Sequence, residues 1–210
     1  GYLKVNVAMI QVSVPDKFGY VSLGTSVDAT LAAVENADTV IAIVNPNVPR
    51  AFGDAMFHFN DIDLFVEDDS PLITAAPGPI SDTDRKIGRF VAELVDDGAT
   101  LQMGIGAIPN AVLTMLGNHK DLGVHSEMFA DGILPLVDKG VVNGKNKKID
   151  KGRLVSTFLM GSKNLYDFVD NNPGVVMQDV KYTNRVNIIA KNPKVTAINS
   201  ALQVDITGQV

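Results

Sequence analysis

Short aliphatic runs alternate along the chain with stretches in which apolar positions recur every three or four residues. Runs at residues 5–12, 39–44, 64–66, 100–103, 123–126, 154–159, 175–177 and 195–199 predict strands. These runs are nearly continuous rather than alternating, the pattern of strands covered by helices on both faces of a mostly parallel sheet, so the predicted class is α/β. Between positions 70 and 80, Pro71, Pro77, Gly78 and Pro79 remove backbone donors or restrict their neighbours. This predicts a division into residues 1–78 and 79–210. Ser81 comes next with Asp84 three positions on, a helix-starting pair, and Ile87, Val91, Leu94 and Val95 then fall on one face before Gly98.

An apolar fraction of 46% with 6% aromatics over 210 residues suits a core built mainly from aliphatic side chains. No apolar run approaches the length of about 20 needed to span a bilayer. The first residues lack a basic, apolar and small-residue succession, which makes a cytoplasmic address the default expectation. A net charge of −6 argues against a nucleic-acid partner, since affinity for phosphates would draw on clustered basic residues. The chain has no cysteine. Disulfides, thiolate nucleophiles and cysteine-ligated metals are thereby excluded, and any covalent chemistry needs another nucleophile.

The predicted strand at 100–103 runs into Gly104, Ile105, Gly106, Ala107, Ile108 and Pro109, and then into a helix beginning near Pro109. Glycines let a ligand approach the backbone, and the free N–H groups of a helix's first turn favour a phosphate or carboxylate. The same turn also suits a strand-to-helix connection that binds nothing. A dinucleotide site is the weaker reading, because Pro109 stands where that fingerprint needs its third glycine. Glu127 closes the predicted strand at 123–126, at the edge where open α/β sheets place ligands. From position alone it is a catalytic candidate or a solvated acid capping the next helix. The glycine turn and Glu127 come after successive strands and open onto one edge if those strands pair. His58, His119 and His125 lack metal-binding spacing, and neither G-x-S-x-G nor G-x-x-x-x-G-K-[ST] occurs. His125, two residues before Glu127, shares its face in an extended strand. Residues 143–148 read as a polar, basic loop.

Residues 102–113, Gln-Met-Gly-Ile-Gly-Ala-Ile-Pro-Asn-Ala-Val-Leu, with 122–132, Leu-Gly-Val-His-Ser-Glu-Met-Phe-Ala-Asp-Gly, resemble the core of the acetyl-CoA hydrolase/4-hydroxybutyrate CoA-transferase family. Ile10 to Gly19, Ser26 to Asp28, Asn45 to Arg50 and Asn199 to Leu202 also read as family segments, so the resemblance covers essentially the whole chain. It implies two open, mostly parallel α/β domains, both incomplete. Residues 1–78 would be the C-terminal part of the first, and 79–210 the second, truncated at its end. It implies transfer of coenzyme A from an acyl-CoA to a short-chain carboxylate such as 4-hydroxybutyrate, butyrate or acetate. Glu127 is then the covalent nucleophile, and Gly104, Ile105, Gly106, Ala107 and Ile108 line the CoA site. Coenzyme A is a substrate, no metal or redox cofactor is required, and a homodimer is expected by analogy. Part of the CoA site lies in a Gly-rich segment absent from the 210 residues. A nucleophilic carboxylate must be ionised, so Glu127 should not be strongly desolvated. Acyl-CoA hydrolysis through the same glutamate and a non-catalytic CoA-binding module are the competing readings. Asn47, Arg50 and His58 stay uncommitted between an acyl pocket and a structural role.

Overall fold

Aliphatic, β-branched runs become strands and most of the stretches between them become helices or turns in the computed structural model, which describes residues 4–75 and 78–210. Pro77, expected to help break the chain, lies outside the described residues. The first part of the chain runs β1 (Val7–Val12), β2 (Tyr20–Ser22), α1 (Thr30–Asn36), β3 (Thr39–Val44), β4 (Phe52–Gly53), β5 (Met56–His58) and β6 (Leu64–Glu67). Then come α2 (Asp82–Ala92), β7 (Thr100–Met103), α3 (Ala107–Met115), β8 (Gly123–Val124), β9 (Met128–Phe129) and α4 (Leu134–Asp138). The last part holds β10 (Leu154–Ser156), β11 (Phe158–Leu159), α5 (Lys163–Val169), β12 (Val175–Met177), α6 (Val180–Thr183), α7 (Val186–Ile189) and β13 (Val195–Ile198).

The sheets are mostly parallel, as the pattern predicts. One has the order β1-β3-β6, another β10-β12-β4, and the sheet that carries the candidate site runs β11-β9-β7-β13 with β8 also on β7. Strand β4, from the first part of the chain, adds to β12, with Val176 opposite Phe52. Further bonds tie the same regions: Val27 N donates to the Thr157 carbonyl at 2.9 Å and Leu159 N to that of Thr25 at 2.8 Å. Valines, leucines and alanines from both parts form one continuous core.

Three details depart from the sequence-based expectation. The run at 154–159 is broken at Thr157 into β10 and β11, and β8 ends at Val124 instead of Ser126. Helix α2 is capped by Ser81 and Asp84 in a reciprocal box as predicted, yet its buried residues are Gly88 and Ala92, while Ile87 is exposed and Leu94, just past the helix, is 81% exposed. The reason is close approach. A Cβ on Gly88 would lie 2.9 Å from the carbonyl carbon of Ala111 in α3, so a small residue marks that contact; of the predicted face, Val95 is buried and Val91 packs against the core, while Ile87 and Leu94 turn outward. Finally, the β1-β3-β6 sheet is not covered on both faces: Met9, Ile43 and Val66 point to solvent on one side.

Candidate functional site

Strands β7 and β8 pair in parallel, so the turn after Met103 and the turn after Val124 emerge at one sheet edge. The chain then kinks through His125, Ser126 and Glu127 before β9 returns beside the end of β7, with Met128 opposite Met103. Ser126 locks this kink. Its hydroxyl donates to the Met103 carbonyl at 3.2 Å and accepts from Met103 N–H at 3.0 Å. Both neighbours of Glu127 are thus attached to the residue immediately before Gly104, so the chain at Glu127 and the glycine turn meet at Met103.

The backbone of Glu127 is gripped from the other side. Its carbonyl accepts from Thr157 N–H at 3.0 Å, Phe158 N–H at 3.1 Å and the Ser156 hydroxyl at 3.0 Å. The break between β10 and β11 creates this grip, because consecutive N–H groups converge on one oxygen only where the strand bends. The side chain of Glu127 is exposed, and one carboxylate oxygen, Oε2, accepts from Asn184 Nδ2 at 2.8 Å. Oε1 is left for other chemistry.

Asn184 caps the end of α6, a segment that also contacts the buried residue before the kink. His125 Nε2 lies 2.8 Å from the Thr183 carbonyl, which can only accept, so Nε2 carries the proton. Nδ1 is buried with no partner. Burial pulls the imidazole below its usual 6.5, against the favourable Thr183 bond. His125 is therefore a neutral packing group. The expected shared face with Glu127 does not occur, because the kink buries one side chain and exposes the other. Tyr182 stands 6.2 Å from the His125 ring and donates to Asp150 at 2.7 Å. Its hydroxyl is pushed up to about 12, first by burial and then by that carboxylate.

The glycine turn is shaped by close packing. A Cβ on Gly104 would fall 2.6 Å from Asn199 Oδ1, and Gly106 has φ +132°, a conformation that L side chains rarely adopt. Gly106 is the N-cap of α3, with no side-chain cap and no acid in the first turn, and Pro109 sits within that turn. Its opening N–H groups and positive dipole end are available to an anion. Ile105, Gly106 and Ala107 line a cavity of about 320 Å³ together with Met128, Ala130 and Met160. Gly104, Ile108 and Glu127 do not line it.

The uncommitted residues have structural partners. Arg50 pairs with Asp16 at 2.5 Å, Asn47 donates to the Asp69 carbonyl at 2.8 Å, and His58 packs edge-on against Tyr20 while accepting from Asn60 N–H. Asn47 also lines a separate cavity of about 360 Å³ against Tyr166. Among the described residues, no cluster of three or more histidine, aspartate or glutamate side chains is placed to hold a metal ion, and no helix is long and apolar enough to cross a membrane. Asn184, Ser156 and Thr157 are functional candidates that sequence reasoning missed. No spacing or motif singles out an asparagine capping a short helix.

Known proteins share this fold. The acetyl-CoA hydrolase/transferase N-terminal domain matches residues 1–77 and the C-terminal domain of the same family matches residues 161–210. The chain is 53% identical over 208 residues to a 4-hydroxybutyrate coenzyme A transferase of Clostridium kluyveri, covering 99% of this chain and 48% of that protein. It is 49% identical to a succinyl-CoA:acetate/propanoyl-CoA:succinate CoA transferase of Fasciola hepatica, over 100% of this chain and 44% of that protein. The crystal structure of a 4-hydroxybutyrate CoA-transferase from Porphyromonas gingivalis superposes with a TM-score of 0.93 at 43% identity, covering 97% of this chain and 52% of the other. The chain spans about half the length of the curated relatives it matches.

Proposed function

Because the chain belongs to the acetyl-CoA hydrolase/transferase family, we propose that the whole protein transfers coenzyme A from an acyl-CoA to a short-chain carboxylate, with Glu127 as the nucleophile. The observation that carries this reading is the setting of Glu127: an exposed carboxylate on a backbone fixed by Met103, Ser156, Thr157 and Phe158, beside an uncapped helix start. A reacting carboxylate needs such a combination of rigid support and a free oxygen.

In the proposed cycle, Oε1 of Glu127 attacks the acyl carbonyl, the C–S bond breaks, and CoA thiolate leaves an acyl-glutamyl anhydride. The thiolate then attacks the glutamyl carbonyl. The anhydride C–O bond breaks, the first acid departs as its carboxylate, and a glutamyl-CoA thioester remains. An incoming carboxylate runs these steps in reverse and leaves as the new acyl-CoA, so the thioester energy is conserved and no redox change occurs. Asn184 Nδ2, already on Oε2, supplies a hydrogen bond to the glutamyl oxygen as it gains charge when the glutamyl carbonyl is attacked, by the thiolate or by the incoming carboxylate. The N–H groups from Ile105 to Ile108 are suited to the acyl oxyanion or to an anionic group of CoA, while that of Gly104 is already given to the Ile198 carbonyl at 2.8 Å. The same reading divides the whole protein after residue 78. The acids in the relatives' names, 4-hydroxybutyrate, succinate and acetate, support a short-chain carboxylate as the acceptor, although one relative is named for cyclohexane-1-carboxylate.

Hydrolysis is the second reading, because the Glu127 side chain is open to water. The full-length enzyme with an acyl-CoA and increasing acetate distinguishes the two. Exchange of CoA that depends on acetate, with little free CoA, supports transfer; free CoA released at the same rate with or without acetate contradicts it.

A further inference from the structure

The stretch 143–148 reads as a solvated basic loop, but Lys147 within it is only 2% exposed. Its stem lies flat on β8. A Cβ added to Gly123 would meet Lys147 Cγ at 2.7 Å and Cδ at 3.0 Å, so the glycine makes room for the lysine. The ammonium donates to the Val124 carbonyl at 2.9 Å and to the Arg153 carbonyl at 2.8 Å. Val124 is the last residue of β8, and Arg153 immediately precedes β10.

Both carbonyls belong to segments that lead directly into the site. Three positions past Val124 is Glu127; three positions past Arg153 is Ser156, which with Thr157 and Phe158 holds the Glu127 carbonyl. Lys147 therefore bridges the two segments at carbonyls that each stand three residues before the clamp on Glu127. Burying an ammonium is costly unless its hydrogen bonds are satisfied, and an apolar side chain of similar length would fill the space without that cost. A methionine there could not join two carbonyls of neighbouring segments.

On the reading of Glu127 as nucleophile, we propose that Lys147 is a positioning residue that ties β8 to β10 and so sets the backbone clamp on Glu127. The lysine does not touch the carboxylate. It acts through the relative placement of the kink at residues 125–127 and the bend at Thr157.

The test uses Lys147→Met and Lys147→Arg in the full-length enzyme, the second keeping donors for both carbonyls. Amide hydrogen exchange at Thr157 and Phe158 is measured beside the rate of CoA loading onto Glu127 and the KM for acyl-CoA. For Lys147→Met, exchange at those two amides rises about 10-fold or more relative to amides of β1 and β3. Loading slows on the order of 10- to 100-fold while KM stays within about two-fold, the mark of misplacement and not of lost binding. Lys147→Arg restores most of both. Unchanged exchange, a uniform rise across all sheets, loading at the wild-type rate, or an arginine variant as slow as the methionine one each overturns the proposal. Should the methionine variant not fold, Gly123→Ala presses on the lysine stem and must show the same split; its absence is equally decisive. A wild-type enzyme that forms no adduct defeats the nucleophile reading instead, and exchange at Thr157 and Phe158 still decides the role of Lys147.

Discussion

On the proposed reading, Glu127 and Asn184 carry the chemistry at the scale of single residues. Replacing Glu127 by Gln preserves shape and keeps hydrogen-bonding capacity but removes the nucleophile. We expect exchange activity to fall by about three orders of magnitude or more, on the order of what losing a covalent nucleophile costs, with the thermal midpoint nearly unchanged because the side chain is exposed. Asn184→Ala removes the side-chain donor on Oε2. Its expected cost is about 10²-fold in kcat, the scale of one oxyanion donor, with the adduct still formed on Glu127. An Asn184→Ala enzyme with wild-type kcat removes the asparagine from the mechanism. From the sequence Glu127 reads as an acid following a strand and residues 104–109 as a strand-to-helix turn, and the structure has β8 ahead of the one and the start of α3 in the other. Asn184 is not legible there, because its contact spans 57 positions and arises only when α6 docks on the kink. Nor is the burial of Lys147, since a lysine among lysines and asparagines carries every local sign of solvation.

The elements show which signals travel from sequence to structure. Strands β3, β7 and β12 match their expected ranges because each is a bounded apolar run whose two faces are covered or partly covered. Strands β4, β8 and β9 have two residues each, too short for any periodicity, and form because neighbouring backbone offers partners. The capping box identifies helix α2, and the apolar spacing places Val91 and Val95 correctly but misplaces Ile87 and Leu94: the close approach to α3 is at Gly88, which hydrophobicity alone does not select. Two substitutions test that approach by thermal or denaturant unfolding. Gly88→Ala forces the 2.9 Å approach to Ala111 apart and should cost about 1–3 kcal/mol, whereas Leu94→Ala on the open side should cost roughly 0.5 kcal/mol or less. The reverse ranking contradicts the observed packing.

Across the whole molecule, β4 on β12 and the bonds from residues 25–27 to 157–159 join the two parts of the chain around the bend that grips Glu127. Composition predicts an aliphatic core and an acidic surface; it holds no information about this cross-stitching, which depends on partners more than 100 positions apart. The buried His125 and Lys147 make stability depend on pH in a definite direction. His125 has its folded pKa below the usual 6.5, so in that interval the unfolded chain binds more protons, and its contribution is intact above 6.5 and lost as pH falls below it. Lys147 is pulled down from 10.5 to about 8 by burial, which Asp150 only partly opposes. Between these values the unfolded chain again binds more protons, so stability attributable to Lys147 rises with pH above 8. Against Lys147→Met, the wild type should gain roughly 2 kcal/mol from about pH 8 to about pH 10. Parallel pH dependences of unfolding free energy for the two proteins over that range would contradict the assignment of a buried lysine with a lowered pKa.

Whether Glu127 carries coenzyme A is decided most directly by incubating the full-length enzyme with acetyl-CoA and no acceptor, digesting it, and searching by mass spectrometry for CoA on the peptide containing Glu127. The expected result is an adduct on Glu127 that disappears when acetate is added, with acetyl-CoA re-formed. CoA bound tightly with no covalent adduct, or an adduct on another residue, would contradict the assignment of Glu127 as the nucleophile.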